Sequence, residues 1–208
     1  TGLKPSIHRP LQFAAILTDE NLNELKRVNW LIKLNSEILP DPFACFVTGI
    51  TPQDTLEGMR EPEFLKKLHE ELLLPNTIIT GYNTIPFDDE FMRYTLWRNF
   101  YDAYEWQWKE GRSRWDIITL VRMTRALRPE GIEWPFRKDG TSSNILGEIA
   151  KLNKLEHTNA HDALSDVEVT VDIARLIKRK APKLFDFLLS LRDKKVAESY
   201  LDFEAPKP

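Results

Sequence analysis

With 208 residues and 42% hydrophobic content, the chain can bury a proper core, as one large domain or two small ones. A net charge of −3 gives no general attraction for a polyanion, so a nucleic-acid partner would need a local basic groove or metal ions. The lone cysteine, Cys45, excludes an intrachain disulfide, and no apolar run approaches the roughly 18 residues of a membrane span.

Residues 1–10 read as loop, with no signal peptide and Thr1 rather than Met at the start. Residues 11–18 are a near-continuous apolar run that predicts a buried strand. Asp19-Glu20-Asn21 is a turn, and residues 28–34 alternate enough to be its hairpin partner. A short helix is expected over 43–48, with Cys45 a small buried residue. Thr51-Pro52 reads as a helix start, a cap followed by proline in the first turn. Residues 61–74 place Phe64, Leu65, Leu68 and Leu72 at helical spacing. A strand over 77–82 leads into a helix over 88–100. Residues 115–127, 142–152 and 161–180 read as helices, and 128–141 as a loop rich in Pro, Gly and charge. A last helix runs from Pro182 to about 195, and the Pro-containing tail 202–208 reads as linker. The order predicts one α/β domain with helices on a mixed sheet.

Two segments carry chemistry. Asn83-Thr84-Ile85-Pro86-Phe87-Asp88 brings an aspartate to the junction of a strand, a turn and a helix. Asn159-Ala160-His161-Asp162-Ala163-Leu164-Ser165-Asp166 places His161 and Asp166 five residues apart at a helix start. Carboxylates hold hard divalent cations, and a near-neutral histidine can move a proton, so together the segments point to phosphodiester hydrolysis. Each has a plainer reading by itself, since Asp and His often cap helices. Asp89, Glu90 and Asp162 read as neighbours of such a site, and Asp116 as a helix cap.

Seven aromatics lie between Tyr94 and Trp108. Tyr94, Trp97 and Phe100 share a helical face and are expected to fill the core. Tyr104, Trp106 and Trp108 fall outside regular helix beside Lys109, Arg112 and Arg114, which suits stacking on bases. Arg122, Arg125 and Arg128 recur near helical spacing, as a phosphate-tracking stripe or a solvated face. The basic run from Arg175 to Lys183 reads as a helix C-terminus complementing its dipole.

The chain resembles the nuclease domain of the exonuclease I family, DEDD-type 3′→5′ exonucleases of the histidine subtype. Blocks carrying the resemblance include Val47-Thr48-Gly49-Ile50-Thr51-Pro52-Gln53, Phe87-Asp88-Asp89-Glu90, Ser113-Arg114-Trp115-Asp116, Ala126-Leu127-Arg128-Pro129-Glu130-Gly131-Ile132 and Ala160-His161-Asp162-Ala163. It implies a ribonuclease-H-like α/β fold, a mixed sheet flanked by helices. It implies degradation of single-stranded DNA to mononucleotides with two ions of Mg²⁺ or Mn²⁺. By this resemblance Asp88 and Asp166 match metal ligands and His161 the general base. Asn83, Phe87, Tyr104, Trp106, Trp108, Arg114 and Arg128 are the candidate substrate contacts. Single-stranded DNA is the implied partner, with a single-strand DNA-binding protein as a second, no membrane, and a cytoplasmic location.

The family also opens its first strand with Asp-x-Glu, and the chain begins where that segment should end. The expectation is therefore an exonuclease domain over 1–195, lacking its first strand and inactive by itself, and a linker over 196–208 toward C-terminal domains. Ser143-Asn144-Ile145-Leu146-Gly147 departs from the family's aromatic, basic residue and Leu-Glu. Two rivals remain: an oligoribonuclease-like RNA exonuclease, which would not carry the block from Ser113 to Ile132, and a non-catalytic module that binds single strands.

Overall fold

The computed structural model describes residues 1–155 and 163–201. Strands β1 (Gln12–Thr18) and β2 (Glu24–Leu31) form an antiparallel hairpin. Asp19 closes it, its Oδ1 accepting the Asn21 and Asn23 amides, each at 2.8 Å. Alternation on β2 turns Val28 and Trp30 inward, where α2 (Glu61–Glu71) packs Phe64, Leu65 and Leu68 against them. The amphipathic spacing of α2 is thus satisfied by a core between hairpin and helix.

Helix α1 (Pro42–Thr48) forms as expected, with Asp41 capping the Phe43 amide at 2.8 Å and Gly49 ending it in the left-handed region (φ 69°). It buries none of its residues, so Cys45 is half-exposed rather than a core residue. Thr51-Pro52 starts no helix. Asp54 Oδ2 accepts from the Thr51 amide at 2.7 Å and hydroxyl at 2.6 Å, folding the segment into turns. The chain then leaves to pair Met59 with Ile32.

Strand β3 (Ile78–Gly81) pairs in parallel with β4 (Ser113–Asp116), and α3 (Asp88–Arg98) lies between them in sequence. Trp115, expected at a helix start, therefore belongs to a strand. Helix α4 (Ile117–Leu127) follows directly, capped by Asp116 through the Ile118 amide at 3.0 Å. Helix α5 (Leu146–Leu152) starts later than its sequence suggests. Long-range bonds hold the preceding residues out of helix: Arg125 donates to the Ser143 carbonyl at 2.8 Å, and the Tyr82 hydroxyl donates to the Asn144 carbonyl at 2.6 Å. The expected last helix is two, α7 (Pro182–Ser190) and α8 (Lys194–Tyr200), with Asp193 capping the second through the Lys195 amide at 2.8 Å.

The long helix α6 (Ala163–Lys180) joins the layers. It packs on β1 and against α4, α5 and α7. Its inner face buries Val169, Ile173 and Ile177 with Leu120 and Val121 of α4 in the second core. Its outer face is tied to the hairpin by an Arg27–Glu168 ion pair and by Arg175, which donates to the Leu22 carbonyl. The fold is mixed α/β, as expected. Among the described residues the strands form two separate pairs, β1–β2 and β3–β4, rather than one continuous sheet.

Candidate functional site

Asp88 is the first residue of α3, at the end of the turn 82–87 that leaves β3. Acidic residues suit this position because the helix N-terminus carries partial positive charge. The turn bends through Asn83 in the left-handed region (φ 58°), which asparagine tolerates better than most residues. Asp116, 5% exposed at the end of β4, holds the turn from beneath. Its Oδ1 accepts the Asn83 amide at 2.8 Å, and its Oδ2 accepts the Thr84 amide at 3.1 Å.

Two residues earlier on the same face of β4, Arg114 grips the start of α3. Its guanidinium donates to both oxygens of Asp89, Nε to Oδ2 at 2.9 Å and Nη2 to Oδ1 at 2.6 Å. It also donates to the Thr84 hydroxyl and, at 2.8 Å, to the Ile79 carbonyl. Asp89 is 3% exposed, and burying its charge is tolerable only because of this bidentate partner.

Asp88 is exposed at its surface, with protein close enough around the carboxyl to strip part of its hydration. That burial pushes its carboxyl up to about 6, with the negative charges of Asp89 and Asp116 adding to the rise and Arg114 opposing it. A carboxylate left short of positive charge is a fitting ligand for a hard cation. Among the described residues, no group of three or more His, Cys, Asp or Glu side chains is arranged to hold a metal ion.

Of the residues singled out in the sequence, Asn83, Phe87, Asp88 and Arg114 gather around the turn. Phe87 packs against Phe91 with ring centroids 4.9 Å apart. Asp166 lies in the first turn of α6, half-buried, and its carbonyl accepts from the Thr170 hydroxyl at 2.8 Å. His161 falls outside the described residues, as does Asp162.

Three expectations are corrected. Trp106 is 5% exposed, its indole N–H donating to the Ala103 carbonyl at 3.0 Å, so its ring is an anchor and not a stacking platform. Arg114 spends its donors on Asp89, Thr84 and carbonyls rather than holding them ready for phosphate. Tyr94, Trp97 and Phe100 are exposed, at 39%, 70% and 99%, instead of filling the core. Tyr104 and Trp108 are exposed, as is Arg128. Arg125 is committed to the Ser143 and Pro135 carbonyls and to the faces of Trp134 and Phe136, which removes it from the basic stripe. The pinning roles of Arg114 and Asp116 escaped sequence reading. Their i, i+2 spacing on a strand, which puts both on one face, was the available signal.

The RNase_T family model, described as exonuclease, matches residues 1–174. Exodeoxyribonuclease I of Haemophilus influenzae is 47% identical over 209 residues, covering 100% of this chain and 44% of that protein. The structure of E. coli exonuclease I in complex with a dA16 oligonucleotide superposes with a TM-score of 0.92 at 42% identity, covering 97% of this chain and 43% of that one. A moderately thermophilic exonuclease I from Methylocaldum szegediense gives a TM-score of 0.91 at 46% identity, covering 98% and 44%. The chain thus spans less than half the length of these relatives.

Proposed function

Because the chain belongs to the RNase_T exonuclease family and matches the nuclease domain of exonuclease I along its length, we propose that the full-length protein degrades single-stranded DNA from the 3′ end to mononucleotides. The carrying observation is the match over the whole chain to solved exonuclease I structures, with Asp88 held at a helix start as an uncompensated carboxylate. Asp88 and Asp166 bind divalent cations, Mg²⁺ or Mn²⁺, through hard carboxylate oxygens. Such ions supply Lewis acidity and steady charge on the scissile phosphate. His161 takes the proton of the attacking water. A solved E. coli exonuclease I complex with single-stranded DNA carries a zinc ion, which supports a cation in this family's site.

The remaining carboxylates come, in this reading, from an Asp-x-Glu strand of the full-length protein. In this reading that strand pairs with a free edge of the β1–β2 or the β3–β4 pair. Unpaired edges otherwise invite pairing with other chains. It follows that residues 1–195, taken alone, hydrolyse DNA little, and that residues 196–208 lead toward further domains. Substrate contacts are drawn from Asn83, Phe87, Tyr104, Trp108 and Arg128. A single-strand DNA-binding protein is the natural second partner, since a solved structure pairs SSB with exonuclease I. No helix among the described residues is long and apolar enough to cross a membrane, and a cytoplasmic location belongs to the same reading.

The test is end-labelled single strands offered to the full-length protein with Mg²⁺. A 5′-labelled strand should shorten progressively, while a 3′-labelled strand should release labelled mononucleotide at once. Shortening from the 5′ end would overturn the polarity. Preference for short RNA would favour the oligoribonuclease-like rival. Binding without cleavage at any metal concentration would favour the non-catalytic one.

A further inference from the structure

We propose that Asp116 is a positioning residue for the metal site: it fixes the turn that presents Asp88, separately from its service as the cap of α4. This rests on the reading of Asp88 as a metal ligand. One buried carboxylate reaches amides on two elements. Oδ1 accepts from Asn83 in the turn and from Ile118 in α4, at 2.8 and 3.0 Å. Oδ2 faces the turn, accepting Thr84 at 3.1 Å and Ile85 at the long distance of 3.5 Å.

A helix cap requires one acceptor for the amides of the first turn. Serine, threonine or asparagine would cap α4 as well as aspartate does. Beyond the cap, the carboxylate reaches a turn 31 to 33 residues away in sequence: Oδ1 also takes the Asn83 amide, and Oδ2 takes those of Thr84 and Ile85. The turn needs these bonds. Asn83 sits at φ 58°, and the segment 83–87 is largely exposed, with little apolar burial to hold it. Arg114 fixes the next residue, Asp89, from the same strand face, so β4 sets both sides of Asp88. Partners of metal ligands that act this way typically change metal affinity roughly 10–100-fold when lost.

The separating variant is Asp116→Ser in the full-length protein. Serine keeps an acceptor beside the Ile118 amide but is too short to reach the turn. Leu120→Ala, a core truncation in α4 at a side chain with 0% exposure, serves as the stability control. Three quantities are read: amide hydrogen exchange at residues 83–85 without metal, Mn²⁺ affinity by titration, and the Mg²⁺ concentration for half-maximal cleavage. Asp116→Ser should speed exchange at 83–85, weaken Mn²⁺ binding roughly 10-fold or more, and raise the Mg²⁺ requirement in proportion. Maximal rate should recover at high Mg²⁺. Leu120→Ala should lower thermal stability and leave the metal requirement where it was. Unchanged exchange and Mn²⁺ affinity in Asp116→Ser would overturn the proposal and leave Asp116 a helix cap. If Asp88→Asn in the same assay left Mn²⁺ affinity intact, the metal-ligand reading of Asp88 would fall first, and this inference with it.

Discussion

Residues 82–87 keep their shape through two charged side chains, the buried Asp116 and the half-buried Arg114, whereas residues 97–108 carry most of their rings toward solvent, with Trp106 turned in. Both regions flank α3, and both mix residue types that sequence reasoning sorts by habit into core and contact. In the turn, an arginine that looked free to grip phosphate is spent on Asp89. In the aromatic segment, the tryptophan in the middle of an exposed run is the anchor. The contrast teaches that partners distant in sequence, not residue type, decide whether a side chain holds the fold or remains available for a ligand.

The largest effects should come from the residues proposed to carry the reaction. In the full-length protein, His161→Ala should lower turnover by about 10²–10⁴-fold with strand affinity nearly unchanged. Asp88→Ala should cost at least as much and abolish the response to Mg²⁺. A rate unaffected by His161→Ala between pH 6 and about 9, read by steady-state cleavage, would contradict the proton-transfer role.

Arg114 separates the two regions next. Arg114→Met leaves Asp89 buried without its counter-charge, which should cost about 3–5 kcal/mol and lower Tm by roughly 6–20 °C. Pairing it with Asp89→Leu should restore much of that loss, measured by thermal melts of the single and double variants. Weaker strand binding at unchanged Tm would instead return Arg114 to the substrate surface.

The aromatic segment is sharpened by one trio. Trp106→Ala should destabilise by about 3–5 kcal/mol, as core truncations of large aromatics do. Tyr104→Ala and Trp108→Ala should leave Tm within about 1 °C, and each should weaken binding of a single strand by about 1–3 kcal/mol, read by titration with a labelled oligonucleotide.

The smallest effect has a telling sign. Asp88 has a folded-state pKa of about 6, above its ordinary 3.8. The folded chain therefore holds this proton more tightly than the unfolded chain, and ionisation costs stability as pH rises from about 4 to about 6. Asp88→Asn should thus stabilise the metal-free protein at pH 8, by roughly 0.5 kcal/mol or 1–2 °C after discounting for solvent screening, and should change little below pH 4. Saturating Mg²⁺ should reverse the order, since the ion favours the carboxylate.

Much of the fold was legible wherever one period ruled. The hairpin, α2 and α6 follow from apolar spacing, and Asp116 as a cap follows from its place before a helical run. Two of the failures share a cause. Trp115 reads as helix by its neighbours but pairs with Thr80 in a parallel strand, a partner chosen across 35 residues. Trp97 and Phe100 are expected on one helical face, but α3 ends at Arg98 and Phe100 lies beyond it at φ 64°. Arg114 and Asp89 are 25 residues apart, so their ion pair leaves no local trace. For the site, the placement of Asp88 was legible because a carboxylate at a strand–turn–helix junction is a local feature. The clamp beneath it was not, because it is assembled from a different strand.

The decisive measurement is anomalous diffraction from crystals of the full-length protein grown with Mn²⁺ and a short single strand. An anomalous peak within about 2.1 Å of both an Asp88 oxygen and the strand's terminal phosphate, with Asp166 and His161 facing the same ion cluster, is the predicted result. A Mn²⁺ peak elsewhere, with the Asp88 carboxylate turned away from the strand, would contradict it.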